Sequence, residues 1–313
     1  MNQRILTVTL NPAVDISARA DEIRPGVKVR CSSATFEPGG GGINVARVIA
    51  ELGGEAAAFL VTGGVTGSWL TELVADAGIR VITHPVDGMT RPSFHVADRS
   101  TGELFRFVLP GPEHAPQQTE SIIEAIESSI VKLKCGYVVL SGSMPPGIPD
   151  DLVRRLASVC RRLGVRLAID TSGSALLSMT GAGVFLLKPD RQELDELRSS
   201  RGWGGLSIEK SAHELLADGT TEIVVVTLGG DGALLVSKQI ELRLPALEVE
   251  KCSPVGAGDS FVAGMVYTLS KGRPIEEAFR FGMAAGSAAV MTPGTELAKR
   301  ADVERLYARM TSN

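Results

Sequence analysis

The sequence has few cysteines and no long apolar run, so it lacks the features of a disulfide-rich secreted domain and of a membrane anchor. The 313 residues include four cysteines, Cys31, Cys135, Cys160 and Cys252, with no Cys-x-x-Cys pair among them. Neither a disulfide framework nor a structural zinc site is therefore indicated. No apolar run reaches the about 18–20 residues that a membrane helix needs, and threonines interrupt the apolar segment 4–10. We expect a cytoplasmic protein with no membrane partner.

An excess of positive charge is also missing, as are the short motifs of several enzyme classes. The formal net charge is −4, which gives no overall basic field and argues against a nucleic-acid partner. The histidines are scattered and fall into no Ser-His-Asp order. No GxxxxGK[ST] loop is present, and the N-terminal glycine-rich segment lacks the acidic residue of a dinucleotide-binding fingerprint. These absences disfavour serine hydrolases, Walker-type nucleotidases and NAD-dependent enzymes.

Length and composition instead fit one large α/β domain. Apolar residues make up 44% of the chain and charged residues 22%, an ordinary globular mixture with enough apolar side chains for a sizeable core. From about residue 43, helical patterns alternate with continuous apolar runs, which are typical of parallel strands covered on both faces. The clearest runs are 137–140, 167–170, 184–187 and 223–226. The sequence therefore predicts a doubly wound sheet, with ligands beyond the carboxyl ends of its strands.

Two segments outside this alternation predict a second, smaller sheet. Residues 27–36 and 92–109 carry Val, Phe and Thr alternating with charged residues, as half-exposed strands do. We expect both segments to form strands that lie apart from the main sheet.

The strongest chemical motif is the run PVGAGDS at residues 254–260, which precedes a helical pattern of small and apolar residues. Glycines before a helix let backbone N–H groups converge, and the helix dipole adds partial positive charge there. Gly256, Ala257 and Gly258 are thus a candidate anion cradle. Asp259 follows in the first turn, where its carboxylate could accept a proton from an attacking hydroxyl during phosphoryl transfer. The spacing alone is equally compatible with a simple helix cap.

A second glycine-rich segment lies near the N-terminus. Gly39, Gly40, Gly41 and Gly42 come before a helical pattern whose first turn carries Asn44. Four successive glycines are costly in chain entropy, so a close approach of the backbone to a ligand explains them better than a flexible loop does.

The two motifs resemble the two signatures of the ribokinase-like PfkB family of carbohydrate kinases and occur in the same order along the chain. The resemblance covers essentially the whole chain. The run VGAGDSF is similar to the C-terminal signature, and residues 38–47 are similar to the first. The resemblance implies an α/β, ribokinase-like fold, in which helices flank a central, mostly parallel sheet and a small discontinuous β-sheet forms a lid. We expect a single domain over residues 1–313, with lid segments at about 12–36 and 90–110.

Within the family, the chain is most similar to the phosphosugar kinases, in particular the minor-type bacterial 6-phosphofructokinases. Residues 9–15 and 105–111 carry this similarity, and the four glycines lack the lysine typical of 1-phosphofructokinases and tagatose-6-phosphate kinases. The resemblance implies that ATP phosphorylates fructose 6-phosphate at its 1-hydroxyl, with Asp259 as base. The alternatives are tagatose-6-phosphate kinase, 1-phosphofructokinase and, more remotely, a phosphosugar sensor without turnover.

The resemblance also implies which residues bind the phosphosugar. A carboxylate can accept hydrogen bonds from neighbouring sugar hydroxyls, and cations neutralise the substrate's own phosphate. The implied residues are Asp15, Lys28, Arg30, Gly39, Gly40, Gly41, Gly42, Asn44, Arg91 and Ser143.

A further set is implied for ATP and its metal. It comprises Lys188, Asp190, Thr227, Gly229, Gly232 and Gly258. Glu193 would position Mg²⁺ through water, although this chain has Asp190 where the family pattern Asn-x-x-Glu has asparagine. The Asp-Gly pair at 231–232 is also a hairpin-turn signal. A monovalent cation such as K⁺ is implied near Ser253, Val255 and Gly294.

The lid carries two further expectations. Its closure over the sugar would exclude water, which otherwise competes for the phosphoryl group. Its strands would have exposed edges, which proteins usually pair or cover. We therefore expect a homodimer built lid to lid.

Overall fold

The computed structural model describes residues 3–311 and contains a large sheet flanked by helices and a small second sheet. The strands are β1 (Arg4–Thr9), β2 (Ala13–Ala20), β3 (Thr35–Gly39), β4 (Ala56–Thr62), β5 (Arg80–Pro85), β6 (Arg91–Asp98), β7 (Leu104–Val108), β8 (Cys135–Ser141), β9 (Arg166–Asp170), β10 (Val184–Leu187), β11 (Thr221–Thr227), β12 (Ala233–Ser237) and β13 (Glu241–Leu244). The helices are α1 (Gly41–Glu51), α2 (Gly64–Asp76), α3 (Pro116–Leu133), α4 (Leu152–Arg162), α5 (Gly173–Leu177), α6 (Arg191–Ser200), α7 (Ile208–Ala217), α8 (Ala257–Ser270), α9 (Ile275–Val290) and α10 (Arg300–Thr311).

The large sheet has the strand order β13-β12-β11-β10-β9-β8-β1-β4-β5. The strands from β11 to β5 run parallel, and β12 and β13 continue the sheet antiparallel. This confirms the predicted central, mostly parallel sheet. The order of strands along the chain reverses between β1 and β8, which is where such sheets leave a crevice for ligands.

The central strands are buried on both faces, which explains their continuous apolar runs. In β8, Val138 and Leu140 contribute to one apolar core, which α3, α4, α6 and α7 cover. Their neighbours Tyr137 and Val139 contribute to the other core, which α1, α8, α9 and α10 cover. Because successive side chains of a strand point to opposite faces, one run of apolar residues serves both cores.

The small sheet has the order β3-β2-β6-β7, and its strands come from residues 13–39 and 91–108. The strand predicted at 27–36 is wrong, because the strand in this region begins at Thr35. A turn at Pro25-Gly26 interrupts the extended chain, and within residues 27–34 the only strand-like pairing is an isolated bridge at Cys31. Instead β2, which the pattern did not indicate, pairs with both β3 and β6.

The structure agrees with two expectations from the composition, which concern disulfides and membrane helices. All four cysteines are free thiols, and two of them, Cys135 and Cys160, are buried. Burial raises the pKa of Cys160 to about 12, so this thiol is a small apolar part of the core. Within residues 3–311, no helix is both long and apolar enough to cross a bilayer.

The helix that begins with the GAGDS motif is packed unusually closely. Residues 260–270 of α8 are all buried. Glycine allows α8 to approach α9, since a Cβ on Gly264 would lie 2.9 Å from the Cβ of Ala285 and 3.0 Å from the carbonyl oxygen of Phe281. The position of α8, and therefore of its N-terminus, is fixed by this contact.

Substitution of Gly264 by valine is expected to destabilise the protein by about 1–3 kcal/mol, because overpacking forces α8 and α9 apart. The free energy of unfolding in urea measures the effect. Gly205→Val is the control, since a Cβ at Gly205 meets nothing within 4 Å. Equal stability of the two variants would contradict the close packing.

Candidate active site

Polar residues follow the parallel strands on one edge of the large sheet. Asn11 follows β1, Ser141 ends β8, Asp170 ends β9, Lys188 follows β10 and Thr227 ends β11. Because these five strands are neighbours and parallel, their carboxyl ends meet at the same edge. The crevice between β1 and β8 lies within this row.

Asp259 reaches this edge from the first turn of α8. Its Oδ2 accepts a hydrogen bond from Nδ2 of Asn44 at 2.9 Å, and its Oδ1 accepts one from Oγ of Ser141 at 3.1 Å. Asn44 lies in the first turn of α1, directly after the four glycines. The two glycine motifs, 215 residues apart in sequence, therefore meet at this carboxylate.

The surroundings of Asp259 make its carboxyl group unusually basic. Burial and the nearby charge of Asp170 raise its pKa to about 7, although the hydrogen bonds from Asn44 and Ser141 and the charge of Lys188 act in the opposite direction. A carboxylate with a pKa near neutrality is suited to accept a proton and release it again.

Lys188 and Asp170 form a buried ion pair beside Asp259. Nζ of Lys188 lies 3.0 Å from Oδ1 of Asp170, with side-chain exposures of 4% and 13%. Burial disfavours the charged lysine, but the charge and hydrogen bond of Asp170, together with the charges of Glu193 and Asp259, outweigh it and raise the pKa of Lys188. A Cβ placed on Gly258 would lie 3.5 Å from Nζ. A permanent cation therefore lies next to the GAG motif.

The start of α8 offers free backbone donors. Gly256 is the N-cap residue in a left-handed conformation, with φ 75°. Within the described residues, the backbone N–H groups of Gly258 and Asp259 have no hydrogen-bond acceptor. Unpaired N–H groups at a helix N-terminus, together with the helix dipole, form an anion-binding site.

The N-terminal glycines are required by close contacts. A Cβ on Gly39 would lie 2.3 Å from Oδ2 of Asp15, and one on Gly41 would lie 2.2 Å from Oγ of Ser141 and 2.9 Å from Oδ1 of Asp259. Gly40, the N-cap residue of α1, has φ 122°, which disfavours any other residue. Gly42 packs on the backbone of β1. The segment thus brings the backbone against both carboxylates.

Asp15 extends from β2 of the small sheet towards Gly39. Its Oδ1 lies 3.7 Å from Nε2 of His95, a buried residue on β6 that also contacts Oγ of Ser93 at 3.2 Å. The Gly39–Gly41 backbone therefore approaches two carboxylates, that of Asp15 on β2 and that of Asp259 in the first turn of α8.

The three cations predicted to bind the substrate's phosphate differ in their burial and in their contacts. Arg91, at the start of β6, donates to the carbonyl oxygens of Asn11 and Leu109. Burial lowers its pKa, although the charge of Asp15 acts against this. Lys28 and Arg30 are exposed, and within residues 3–311 they have no ion-pair partner. Of these three cations, only Arg91 is held by hydrogen bonds and lies near the charge of Asp15.

The other predicted sugar contact lies in the loop after β8. Ser143 is exposed, and its Oγ accepts a hydrogen bond from Nδ2 of Asn11 at 3.1 Å. Oδ1 of Asn11 is buried and has no hydrogen-bond partner within the described residues. The β8 loop is thereby connected to the end of β1.

Most of the predicted nucleotide residues share one cavity of about 1000 Å³. Thr227, Asp190, the Gly229–Gly232 turn and Gly258 all line it. The turn joins β11 to the antiparallel strand β12, so the hairpin signal and the pocket-lining position are both present. Small residues of α9, Gly286 and Ser287, also contribute to the wall. Lys188 and Glu193 lie outside this lining.

Asp190 and Glu193 form a capping box at the start of α6. Oδ1 of Asp190 accepts from the N–H of Glu193 at 2.9 Å, and Oε2 of Glu193 accepts from the N–H of Asp190 at 2.8 Å. Burial raises the pKa of Glu193 to about 7. Asp190 thus has a structural role in the helix that asparagine could also fill.

The sequence and the fold have close counterparts in proteins of known activity. A family model described as "pfkB family carbohydrate kinase" matches residues 7–301. The ATP-dependent 6-phosphofructokinase isozyme 2 of Mycobacterium tuberculosis is 41% identical, over 97% of this chain and 89% of that protein. The chain belongs to the PfkB family of carbohydrate kinases.

Other PfkB relatives agree. The isozyme 2 of Escherichia coli is 38% identical over 98% of this chain and 99% of that protein, and the 1-phosphofructokinase of Bacillus subtilis is 34% identical over 93% and 95%. E. coli phosphofructokinase-2 in complex with potassium has a TM-score of 0.92 at 38% identity, covering 99% of both chains. The same enzyme with fructose-6-phosphate has 0.89 at 36%, with the same coverage. As a PfkB kinase, this protein uses ATP to phosphorylate a hydroxyl group of a sugar phosphate.

Two polar residues that the sequence analysis does not name lie beside Asp259. Ser141 and Asp170 each end a buried strand, the position at which ligand contacts are expected in such a sheet. The strand-end position is a signal for both residues, but the resemblance implies Ser143 and not Ser141, and the apolar run 167–170 predicts only that Asp170 belongs to a strand.

Asp259→Asn is expected to stabilise the protein above pH 7. The folded state raises the pKa of Asp259, so ionisation of this carboxyl group lowers the stability of the folded protein. The stabilisation by the protonated group is complete below about pH 4 and is lost as the pH rises through 7. Asparagine does not ionise. The gain in unfolding free energy should be at least about 1 kcal/mol at pH 8 and should shrink towards pH 5.

Urea unfolding at both pH values measures this effect. The control is Asp76→Asn, which changes an exposed carboxylate on α2. A variant at Asp259 that is less stable than wild type at pH 8 would contradict the assignment of a destabilised carboxylate.

Proposed function

We propose that this kinase phosphorylates fructose 6-phosphate at its 1-hydroxyl, with Asp259 as the general base. The observation that carries the proposal is the carboxylate itself: it has a pKa of about 7, it is oriented by Asn44 and Ser141, and it starts the helix whose free N–H groups can hold an anion. The phosphofructokinase relatives support the choice of sugar.

The chemical step needs one proton acceptor and one anion site. The sugar hydroxyl oxygen attacks the γ-phosphorus of ATP and loses its proton to Asp259, while the bond between the γ-phosphorus and the bridging oxygen breaks and ADP leaves. Asn44 and Ser141 hold the carboxylate in one orientation, so the acceptor oxygen is fixed before the hydroxyl arrives. Asp259 can later return the proton to solvent.

The charge of the transferring phosphoryl group is matched by this chain's own donors. The N–H groups of Gly258 and Asp259 are unpaired, and the Lys188 ammonium lies beside Gly258. These groups are held in place before the reaction, so they need no reorganisation as charge develops. Asp170 keeps Lys188 charged and oriented.

Residues near the nucleotide cavity also fit a magnesium ion. Within residues 3–311 there is no cluster of three or more metal-ligating side chains, and Mg²⁺ is typically bound by one or two carboxylates, several waters and substrate phosphates. Glu193 would hold the ion through water, with Asp190 beside it. The ion would neutralise charge on the phosphates.

A monovalent cation such as K⁺ is proposed near the start of α8. Oγ of Ser253 donates to the carbonyl oxygen of Gly294 at 2.6 Å, so the two loops that carry these residues meet there. The potassium complex of E. coli phosphofructokinase-2 supports this assignment.

The sugar would bind between the small sheet and the glycine segment. Asp15 and Asn44 can accept from and donate to its hydroxyls, and the backbone of Gly39–Gly42 allows close approach. Arg91 retains N–H donors beyond its bonds to Asn11 and Leu109, and would bind the substrate's phosphate with Lys28, Arg30 and Ser143.

The second candidate is another phosphosugar kinase activity, on fructose 1-phosphate or tagatose 6-phosphate. The 34% identity to a 1-phosphofructokinase favours keeping it. Relative kcat/KM values over a panel of phosphosugars discriminate between the two. A sensor without turnover is disfavoured by the intact carboxylate and amide cradle.

Asp259→Asn should lower kcat with MgATP and fructose 6-phosphate by about 10² or more, the size of a general-base contribution. Coupled ADP release measures this, with Asp76→Asn as the control. A variant with wild-type kcat would rule out the base assignment. Wild-type activity on another phosphosugar only would keep the mechanism and reject the proposed substrate.

Ser141→Ala should move the acid limb of the kcat profile to higher pH. The Ser141 hydroxyl donates to the ionised carboxylate and lowers its pKa, so its loss raises the pKa above about 7. Activity at pH 6 should fall more than activity at pH 8. Ser211→Ala, a buried serine on α7, is the control, and an unmoved limb in Ser141→Ala would contradict the proposed link.

The small sheet is proposed to be both lid and dimer interface. One row across the sheet, set by the register of its strands, exposes the large apolar side chains of Phe36, Phe94 and Phe107 at 45%, 37% and 54%. Such a patch marks an interaction surface. Because the patch continues along the unpaired edge of β7, a second copy of the same lid is the proposed partner.

Phe107→Glu should convert the dimer to monomer at micromolar concentration, since it places a charge in the apolar patch. Light scattering measures the mass. Val131→Glu is the control, because Val131 is equally exposed at 58% but lies on α3. A wild-type monomer, or a Phe107→Glu dimer, would reject the lid interface.

A further inference from the structure

Glu37 lies on lid strand β3, but its carboxylate contacts two elements outside the lid. Oε1 accepts a hydrogen bond from Nη2 of Arg47 on α1 at 3.3 Å, and Oε2 accepts one from Oγ1 of Thr295. The side chains of Glu37 and Arg47 are 26% and 22% exposed, and Thr295 is 8% exposed. The cluster is therefore shielded from water, unlike a surface ion pair of little energetic value.

Thr295 connects Glu37 to the nucleotide side of the site. It lies in the loop 291–299, between α9 and α10. In the same loop, the carbonyl oxygen of Gly294 accepts a hydrogen bond from Oγ of Ser253. The Ser253 Oγ itself accepts one from the N–H of Val255 at 3.3 Å. A Cβ on Gly256 would lie 2.5 Å from Cδ2 of Leu297. The loop thus supports the segment that leads into the free N–H groups of α8.

Glu37 is equally close to the sugar side. It pairs directly with Asp15 across β2 and β3, and Gly39, which contacts the Asp15 carboxylate, is two residues further along β3. Its partner Arg47 lies one helical turn after Asn44 on α1. A change in the position of β3 therefore changes the position of the Glu37 carboxylate.

We infer that Glu37 is a positioning residue that couples the phosphosugar site to the nucleotide-phosphate site through Thr295. The inference rests on the proposed function, because it takes the lid to bind the sugar and the start of α8 to bind the phosphates. Sugar bound under the lid fixes β3, and the Glu37–Thr295 hydrogen bond then fixes the loop 291–299 and the segment 253–256. By linkage, each substrate raises the affinity for the other by the same factor.

The test is the coupling factor between two ligands. The affinity of a non-hydrolysable ATP analogue with Mg²⁺ is measured by calorimetry, without and with saturating fructose 6-phosphate, in wild type and Thr295→Val. Thr295→Ser restores the hydroxyl, and Glu37→Gln is a second variant if valine impairs folding. Glu209→Gln is the matched control, since Glu209 is another arginine-paired glutamate, 2.6 Å from Arg243 and far along the chain from both loops.

We expect a coupling factor of about 5-fold or more in wild type, a factor near 1 in Thr295→Val with little change in either affinity alone, and recovery in Thr295→Ser. The control should keep the wild-type factor. A wild-type enzyme that turns over fructose 6-phosphate but shows no coupling overturns the inference, and so does an unchanged factor in both Thr295→Val and Glu37→Gln, even if their thermal stability falls. Absence of turnover of fructose 6-phosphate rejects the proposed substrate, and the coupling factor is then measured with the phosphosugar that is turned over.

Discussion

The carboxylate of Asp259, held by the amide of Asn44 and the hydroxyl of Ser141, is the interaction around which the site is organised. It joins three distant parts of the chain: the start of α1, the end of β8 and the start of α8. Two glycines make room for this interaction. Gly41 has no Cβ because the space is filled by Ser141 and Asp259, and Gly264 lets α8 press against α9 so that the first turn reaches the sheet edge.

This arrangement places three ionisable groups where water is largely excluded. Lys188 and Asp170 compensate each other, and Asp259 has neutral hydrogen-bond donors instead of a direct cation. Burial therefore raises the pKa of Asp259 to about 7, whereas a direct ion pair would have lowered it. The same environment strengthens the attraction between the α8 amides and an incoming phosphate, because electrostatic interactions are stronger where the dielectric is low. Stability at the site is sacrificed for reactivity.

Much of this could be predicted from the sequence, and the failures have physical causes. Continuous apolar runs locate β8 to β11 because these strands are buried on both faces, and the two glycine motifs locate Asp259 and Asn44. The strands of the small sheet are half-exposed, so their weak alternation predicts one strand at 27–36 instead of Thr35–Gly39 and does not indicate β2. Ser141 and Asp170 end buried strands and could have been predicted from that position, but Thr295 acts through a contact 258 residues away in sequence, which no local pattern encodes.

The central claim is that Asp259 is a carboxylate whose pKa lies near 7 in the folded kinase. A direct measurement is the titration of its side-chain carbon by ¹³C NMR, with Asp259→Asn used to assign the signal. The account predicts a midpoint at about 7 in the free enzyme. A midpoint near 4, the ordinary value for aspartate, would show that the buried environment does not tune this group and would contradict its role as a base poised for proton transfer at neutral pH.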